Sequence, residues 1–330
     1  MRAMAIKRFI EAVREALLEE MERDTSIILL GQDIGVNGGV FRVTEGLYKA
    51  FGEERVIDTP LAESGIVGVA IGAALNGLRP VAEIQFVDFI FPAVNQIVSE
   101  AARLYYRTNG DSPVPLVIRA PYGGGVHGGL YHSQSVEAFF LHVPGLKVVI
   151  PSTPYDAKGL LKSAIRDNNP VLYFEHKRAY NLIRGEVPEG DFAVPIGQAV
   201  IRRAGSQVSL ISYGLSAHHC LEAADALDGE GIGCEVVDLR TIKPLDTETV
   251  LDSVRKTGKV CIVHEDNLTG GVGAEIAAII ARDAFEYLDG PIYRVAAPDI
   301  PSFPYSPPLE EFCLPTTEKI AEAVRELTAY

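Results

Sequence analysis

The chain contains no tryptophan and only four cysteines, Cys220, Cys234, Cys261 and Cys313. Their irregular gaps match neither a zinc ligand set nor a disulfide framework, so they read as reduced core thiols of a cytoplasmic protein. Cations are also scarce, with 30 Lys+Arg against 44 Asp+Glu and a net charge of −14. A chain this acidic lacks the positive surface that phosphate backbones attract, so nucleic acid is excluded as a main partner. No run of about 18 apolar residues exists to span a bilayer, so no membrane association is expected. Near the N-terminus Lys7, Arg8, Glu11 and Arg14 interrupt the apolar pattern, which excludes a secretory signal there.

What remains is a globular composition of 330 residues, 47% hydrophobic and 22% charged. At roughly 150 residues per domain this length predicts two domains. Ile6, Phe9, Ile10, Val13, Leu17 and Met21 recur at helical spacing, predicting a helix over 5–23. Apolar runs predict strands at Ile27–Leu30, Val56–Asp58, Val81–Phe86, Leu116–Arg119, Lys147–Ile150 and Val171–Glu175. Helical stretches lie between them at Ser64–Asn76, Phe91–Tyr106 and Pro154–Asn168. Two prolines and mixed charge at about 180–195 suggest a linker. A second set follows, with strands at Val208–Tyr213, Cys234–Asp238, Val260–His264 and Ile292–Val295. Its helices are Ser216–Leu227, Thr247–Lys256, Gly271–Tyr287 and Thr317–Leu327. This alternation means an α/β protein of two domains, 1–190 and 196–330, each built on a mostly parallel sheet.

Glu63, in Asp58-Thr-Pro-Leu-Ala-Glu-Ser-Gly65, stands where a strand gives way to a helix, the ligand-facing edge of an open parallel sheet. It either helps cap that helix, with Ser64 as the cap, or presents a carboxylate to a ligand. Gly65, Gly68 and Gly72 in the helix imply a close neighbour, within the fold or across a subunit boundary. Phe89, after Gln85 and before Pro92, is either a core aromatic or a stacking surface for a flat ring. The segment Tyr122–Gln134 holds five glycines between 123 and 129, with His127 and His132. It reads as a permissive loop beside a ligand or an idle surface loop, and His-x4-His without a nearby acid is a weak metal signal. Thr269-Gly-Gly-Val-Gly273 fits neither GxGxxG nor GxxxxGK[ST] and reads as a packing turn.

Taken together, DTPLAESGIVGVAIGAA, AEIQFVDFIFPAVNQIVSEAA, GGLYHSQSVEAFFLHVPGLKVVIPSTPYDAKGLL, CEVVDLRTIKPLD, HEDNLTGGVGAEIA and APDIPSFPYSPPLE resemble one family. It is the β subunit of the thiamine-diphosphate-dependent, decarboxylating component of 2-oxo acid dehydrogenase complexes, with pyruvate, branched-chain and acetoin members. The resemblance covers essentially the whole chain. It implies a pyrimidine-binding α/β domain followed by a transketolase C-terminal-like domain.

By that resemblance Glu63 is the catalytic glutamate that hydrogen-bonds N1′ of the cofactor's aminopyrimidine and primes loss of the C2 proton. Phe89 and Gln85 are cofactor-binding positions, and His132 is the histidine that handles protons or meets the incoming lipoyl group. A potassium site would use Leu116, Val117, Ala164, Ile165, Asp167 and Asn169, mostly through backbone oxygens. The GDG motif that in such enzymes begins the Mg2+ and diphosphate site is missing. The resemblance therefore implies an α subunit that supplies Mg2+ and diphosphate binding, an α2β2 heterotetramer, and a thiamine diphosphate shared between the chains. It further implies docking to the subunit-binding domain of a dihydrolipoyl acyltransferase, with Tyr330 as an anchor. The expected reaction is decarboxylation of a branched-chain 2-oxo acid or pyruvate, with acyl transfer to a lipoyl group. The alternatives are half of a split transketolase-type transferase and a noncatalytic scaffold subunit.

Overall fold

In the computed structural model, which describes residues 4–330, contacts divide the chain into two compact units. One comprises residues up to Tyr122 together with Phe140–Ile196, the other Gly123–Phe139 together with Gly197–Tyr330.

Six strands of the first unit lie in the order Lys147–Val149, Val171–His176, Val117–Tyr122, Arg79–Glu83, Ile27–Gly31, Val56–Asp58, all parallel. The central strands are buried along their whole length, which is why they read as unbroken apolar runs. Helices Phe9–Arg23 and Pro154–Arg166 pack together through Val13, Leu17, Leu160 and Leu161, with strand residues Ile27 and Val171 in the same core. Lys158 and Lys162, both buried, reach Glu19 across this helix pair at 2.6 Å each.

The first helix is shorter than its periodicity predicts. Met4–Arg8 is a strand, and the helix begins at Phe9. Ile6 is 66% exposed and belongs to no apolar stripe. The Arg8 N–H donates to Glu11 Oε2 at 2.7 Å, the returning bond of a capping box, which fixes the helix start. The partner of that strand is Arg184–Pro188, antiparallel, so much of the expected linker is ordered structure: a helical turn at Ala179–Leu182 and then this strand. The stretch expected as one helix at 91–106 is a 3-10 turn Phe91–Ala93, a π-helical segment Asn95–Ala101 and an α-helix Ala102–Arg107.

In the second unit four parallel strands lie in the order Tyr293–Ala297, Val260–Asn267, Val208–Ser212, Cys234–Asp238, with Val200–Arg203 antiparallel at the edge. Alternation along a strand sorts its residues between faces. Val208 and Leu210 join Cys220, Leu227, Ile320 and Val324 of helices Leu215–Asp228 and Thr317–Thr328. Between them, Ser209 bonds Ser253 and Thr257 of helix Thr247–Thr257 at 2.6 and 2.7 Å. Patterning missed the edge strand and the seven-residue helix Pro307–Cys313, both too short for a periodic signal. All four cysteines are free and buried. Among the described residues no helix is long and apolar enough to cross a membrane.

Candidate active site

Parallel strands deliver their C-terminal ends to one sheet edge, and in the first unit the ends Gly31, Asp58 and Glu83 belong to neighbouring strands. The loops leaving them interlock. Asp58 accepts the Gly35 N–H at 2.6 Å, and the Gln85 carboxamide donates to Gln32 O and Asp33 Oδ2 at 3.3 Å each. Glu63 opens helix Glu63–Leu75 at this edge, half-buried in the first turn. The unpaired N–H groups and dipole of that turn favour a negative charge. Glu63 makes no hydrogen bond or ion pair with any other described residue, so its carboxylate is available to an outside donor. Ser64 is not the cap expected for it: the N-cap position is Ala62, and no side chain caps the helix.

Phe89 ends a 3-10 turn, Val87–Phe89, beyond the strand rather than on it. Its ring is half-buried and meets Phe86 edge-on at 6.0 Å. Phe86 in turn contacts Phe41 at 5.2 Å, so the turn rests on an aromatic support. The following segments Phe91–Ala93 and Asn95–Ala101 pack against the helix that Glu63 begins. A Cβ on Gly68 would lie 3.6 Å from the Gln96 side chain, whereas one on Gly72 would meet nothing, so the fold accounts for only part of the glycine face.

His127 and His132 lie in the second unit, on the glycine loop. The loop is closed at its base by Gly123 N–H to Gln134 O, 2.8 Å. His132 is half-buried and His127 exposed. The acid that sequence proximity could not supply comes from far along the chain. Glu310 Oε2 lies 2.6 Å from His127 Nδ1, and Glu265 accepts the Gly124 N–H. Nearby, Glu137 accepts from Tyr213 OH at 2.8 Å, and burial pushes its carboxyl well above the usual range, with the Asp266 charge adding to the effect. Burial likewise pushes Asp266 up to about 6, against the pull of two backbone N–H bonds. Among the described residues no group of three or more His, Cys, Asp or Glu is arranged to hold a metal ion.

The transketolase pyrimidine-binding domain model matches residues 7–182, and the transketolase C-terminal domain model matches 197–320. Across 99% of this chain and all of the relative, 57% of residues are identical to the 2-oxoisovalerate dehydrogenase β subunit of Bacillus subtilis. The pyruvate dehydrogenase E1 β subunit of the same organism is 48% identical over the same shares. The chain belongs to the E1 β-subunit family of 2-oxo acid dehydrogenases. The E1 β fold is shared with a solved split-gene transketolase, described as an inactive β4 tetramer, at TM-score 0.80 and 24% identity over 98% of both chains. It also matches 46% of the Leishmania mexicana transketolase chain at TM-score 0.72 and 19% identity.

The residues expected to hold potassium have protein partners in this E1 β chain. Arg79 Nη1 donates to the carbonyls of Ile165 and Asp167 at 3.0 Å each. The Asp167 carboxylate pairs with Lys147 and accepts the Asn169 N–H at 2.9 Å. The Leu116 carbonyl accepts Val171 N–H at 2.9 Å, the Ala164 carbonyl accepts Asp167 N–H at 3.3 Å, and Val117 lies within the sheet. Each of these carbonyls retains a second lone pair, but the Ile165 and Asp167 oxygens already face the Arg79 guanidinium.

Proposed function

We propose that the chain is the pyrimidine-binding half of a decarboxylating 2-oxo acid dehydrogenase that works on thiamine diphosphate and passes the acyl group to a lipoyl group. The observation that carries this reading is Glu63, a half-buried carboxylate with no partner among the described residues, at a helix N-terminus on the ligand edge of the sheet. Supported by packed aromatics, Phe89 offers a flat apolar face.

The residues fit an aminopyrimidine. Glu63 would share a proton with N1′ in a hydrogen bond, Phe89 would lie against the ring, and the Gln85 carboxamide would fix the edge of the site. Bound thiamine diphosphate supplies the carbon nucleophile and the electron sink that decarboxylation needs. Glu63 then acts by holding one proton in place, a task suited to a carboxylate kept from bulk water. His132 moves a proton at the substrate or lipoyl side.

Mg2+ and the diphosphate belong to an α subunit, within an α2β2 assembly, because this chain lacks GDG. A potassium ion, where bound, would use Leu116, Val117, Ala164, Ile165, Asp167 and Asn169, at a place where Arg79 already bonds the Ile165 and Asp167 carbonyls. In sequence the domains follow the bounds 1–190 and 196–330, with residues 123–139 belonging to the second compact unit. Tyr330, 71% exposed after the last helix, anchors the acyltransferase's subunit-binding domain. Deleting the last few residues with no change in acyltransferase binding would exclude that anchor. The compartment is the cytoplasm, in keeping with four free thiols. The preferred substrate is a branched-chain 2-oxo acid, which the identities of 57% against 48% favour over pyruvate.

The test is co-expression with a cognate α chain and an assay of dichlorophenolindophenol reduction with 3-methyl-2-oxobutanoate and pyruvate. Turnover is expected only with both chains, thiamine diphosphate and Mg2+. A well-formed complex inert toward every 2-oxo acid would overturn the reading.

A further inference from the structure

We propose that Glu310 is a positioning residue whose buried carboxylate sets the conformation of the loop Gly123–Gln134 and so the place of His132. This rests on the reading of His132 as a proton-handling residue. Glu310 projects from helix Pro307–Cys313, and its side chain is 1% exposed. The carboxylate's hydrogen-bond and ion-pair partners among the described residues all lie in that loop. Oε1 accepts the Gly125 N–H at 2.9 Å and a bond from Ser133 Oγ at 3.4 Å. Oε2 accepts the His127 N–H at 3.2 Å and faces His127 Nδ1 at 2.6 Å. Ser133 Oγ also accepts the Gly128 N–H at 3.1 Å, which carries the hold across the loop to the residue after His132.

A carboxylate this deep, with no Lys or Arg ion pair among the described residues, is a poor stabilising device, because desolvation is offset mainly by the loop's own donors. The loop, for its part, has a conformation that needs holding. His127 has φ +56, in the left-handed region that costs a non-glycine residue about 1 kcal/mol or more. Gly123, Gly125 and Gly129 are also left-handed. At Gly128 a Cβ would stand 2.6 Å from His132 Cβ, so the backbone folds back directly over the histidine. Glu265, on strand Val260–Asn267, holds the loop through Gly124 N–H and bonds Ser135 Oγ just beyond it. Two buried carboxylates thus organise one strained loop, and the element they place is His132.

The decisive variant is Glu310→Gln, in the full chain assembled with its α chain. Glutamine keeps the volume and one acceptor oxygen. It sets an NH2 against N–H donors and removes the charge paired with His127. Backbone hydrogen exchange over 124–133 is expected to quicken about tenfold or more, and kcat to fall by a similar factor. KM for the 2-oxo acid and the melting temperature should stay close to wild type. Wild-type exchange and kcat in the folded variant would overturn the assignment. If Glu310→Gln does not fold, Ser133→Ala decides, since it severs only the link from Glu310 to Gly128. Faster loop exchange with lower kcat would support the anchor, and no change in either would refute it. Exchange needs no turnover. An assembly whose wild type is inert toward all 2-oxo acids but whose loop loosens in the variant would refute the enzymatic reading and leave the anchor standing.

Discussion

Arg119 donates two hydrogen bonds to Glu175 on the neighbouring parallel strand, from Nε at 2.6 Å and Nη2 at 2.5 Å, with both side chains shut away from water. Its Nη1 donates to Glu83 at 2.6 Å, and Tyr180 donates its hydroxyl to Glu175. One cation thus serves two carboxylates at the heart of the first sheet, and burial pushes Glu83 above the ordinary carboxylate range. Arg119→Ala would leave both carboxylates without their cation, and a loss of about 3–5 kcal/mol is expected in urea unfolding. A loss under 1 kcal/mol would mean that water or protonation relieves the pair.

Glu63→Gln should leave the unfolding transition in place, because the Glu63 side chain bonds to no other described residue. Activity of the assembled enzyme should drop by about 10²–10⁴-fold, the span typical of general acid–base groups. Turnover within a few-fold of wild type would remove Glu63 from the chemistry.

Asp266 gives a pH signature. Its folded pKa of about 6 lies above the ordinary value of 3.8. The folded state therefore binds the proton more tightly. The resulting stabilisation is fully present below about pH 4 and is lost as pH rises through 6. Asp266→Asn, which cannot ionise, should gain stability over wild type across this window, by up to about 3 kcal/mol. Guanidinium melts at pH 4, 5, 6 and 7 measure it, and a difference that shrinks with pH would contradict the assignment.

The turn at 269–273 has a packing role that a methyl group should expose. A Cβ on Gly273 would stand 2.8 Å from His264 Nε2, and one on Gly271 2.6 Å from His264 Cε1. Burial drives that imidazole down to about 4, so it is neutral and cannot swing into water at low cost. Gly273→Ala is expected to destabilise by about 1–3 kcal/mol through overpacking. Thermal melting would check this, and an unchanged midpoint would free the turn for a ligand role.

The thiols should be inert in the folded chain. Burial pushes Cys261 up to about 12 and Cys234 to about 11, so almost no thiolate exists at pH 8. Ellman's reagent should label none of the four until denaturant is added. Fast labelling of any one would reveal local opening.

Most elements were legible because their signals are local. Ile27–Gly31 and Cys234–Asp238 are apolar runs that only a doubly covered strand tolerates, and Thr247–Thr257 carries its cap Asp246 beside it in sequence. The strand-to-helix junction drew attention to Glu63, since a parallel sheet sends such junctions to one edge, whereas Phe89, expected at a strand end, lies in a 3-10 turn beyond it. Short pieces escaped. Met4–Arg8 continued a helical period by chance, and only its pairing with Arg184–Pro188 makes it a strand.

The amino-acid sequence by itself determined the two α/β units, the acidic surface, the buried thiols and the residue types at the candidate site, because periodicity, charge and junction chemistry act over a few neighbouring residues. The tertiary structure alone decided which distant groups answer one another. Glu310 reaches Gly125 from 185 positions away, Arg79 finds the carbonyls of Ile165 and Asp167, and Arg119 sits between Glu83 and Glu175. A buried charge or carbonyl must be satisfied by whatever the closed fold brings beside it, and no local pattern carries that information.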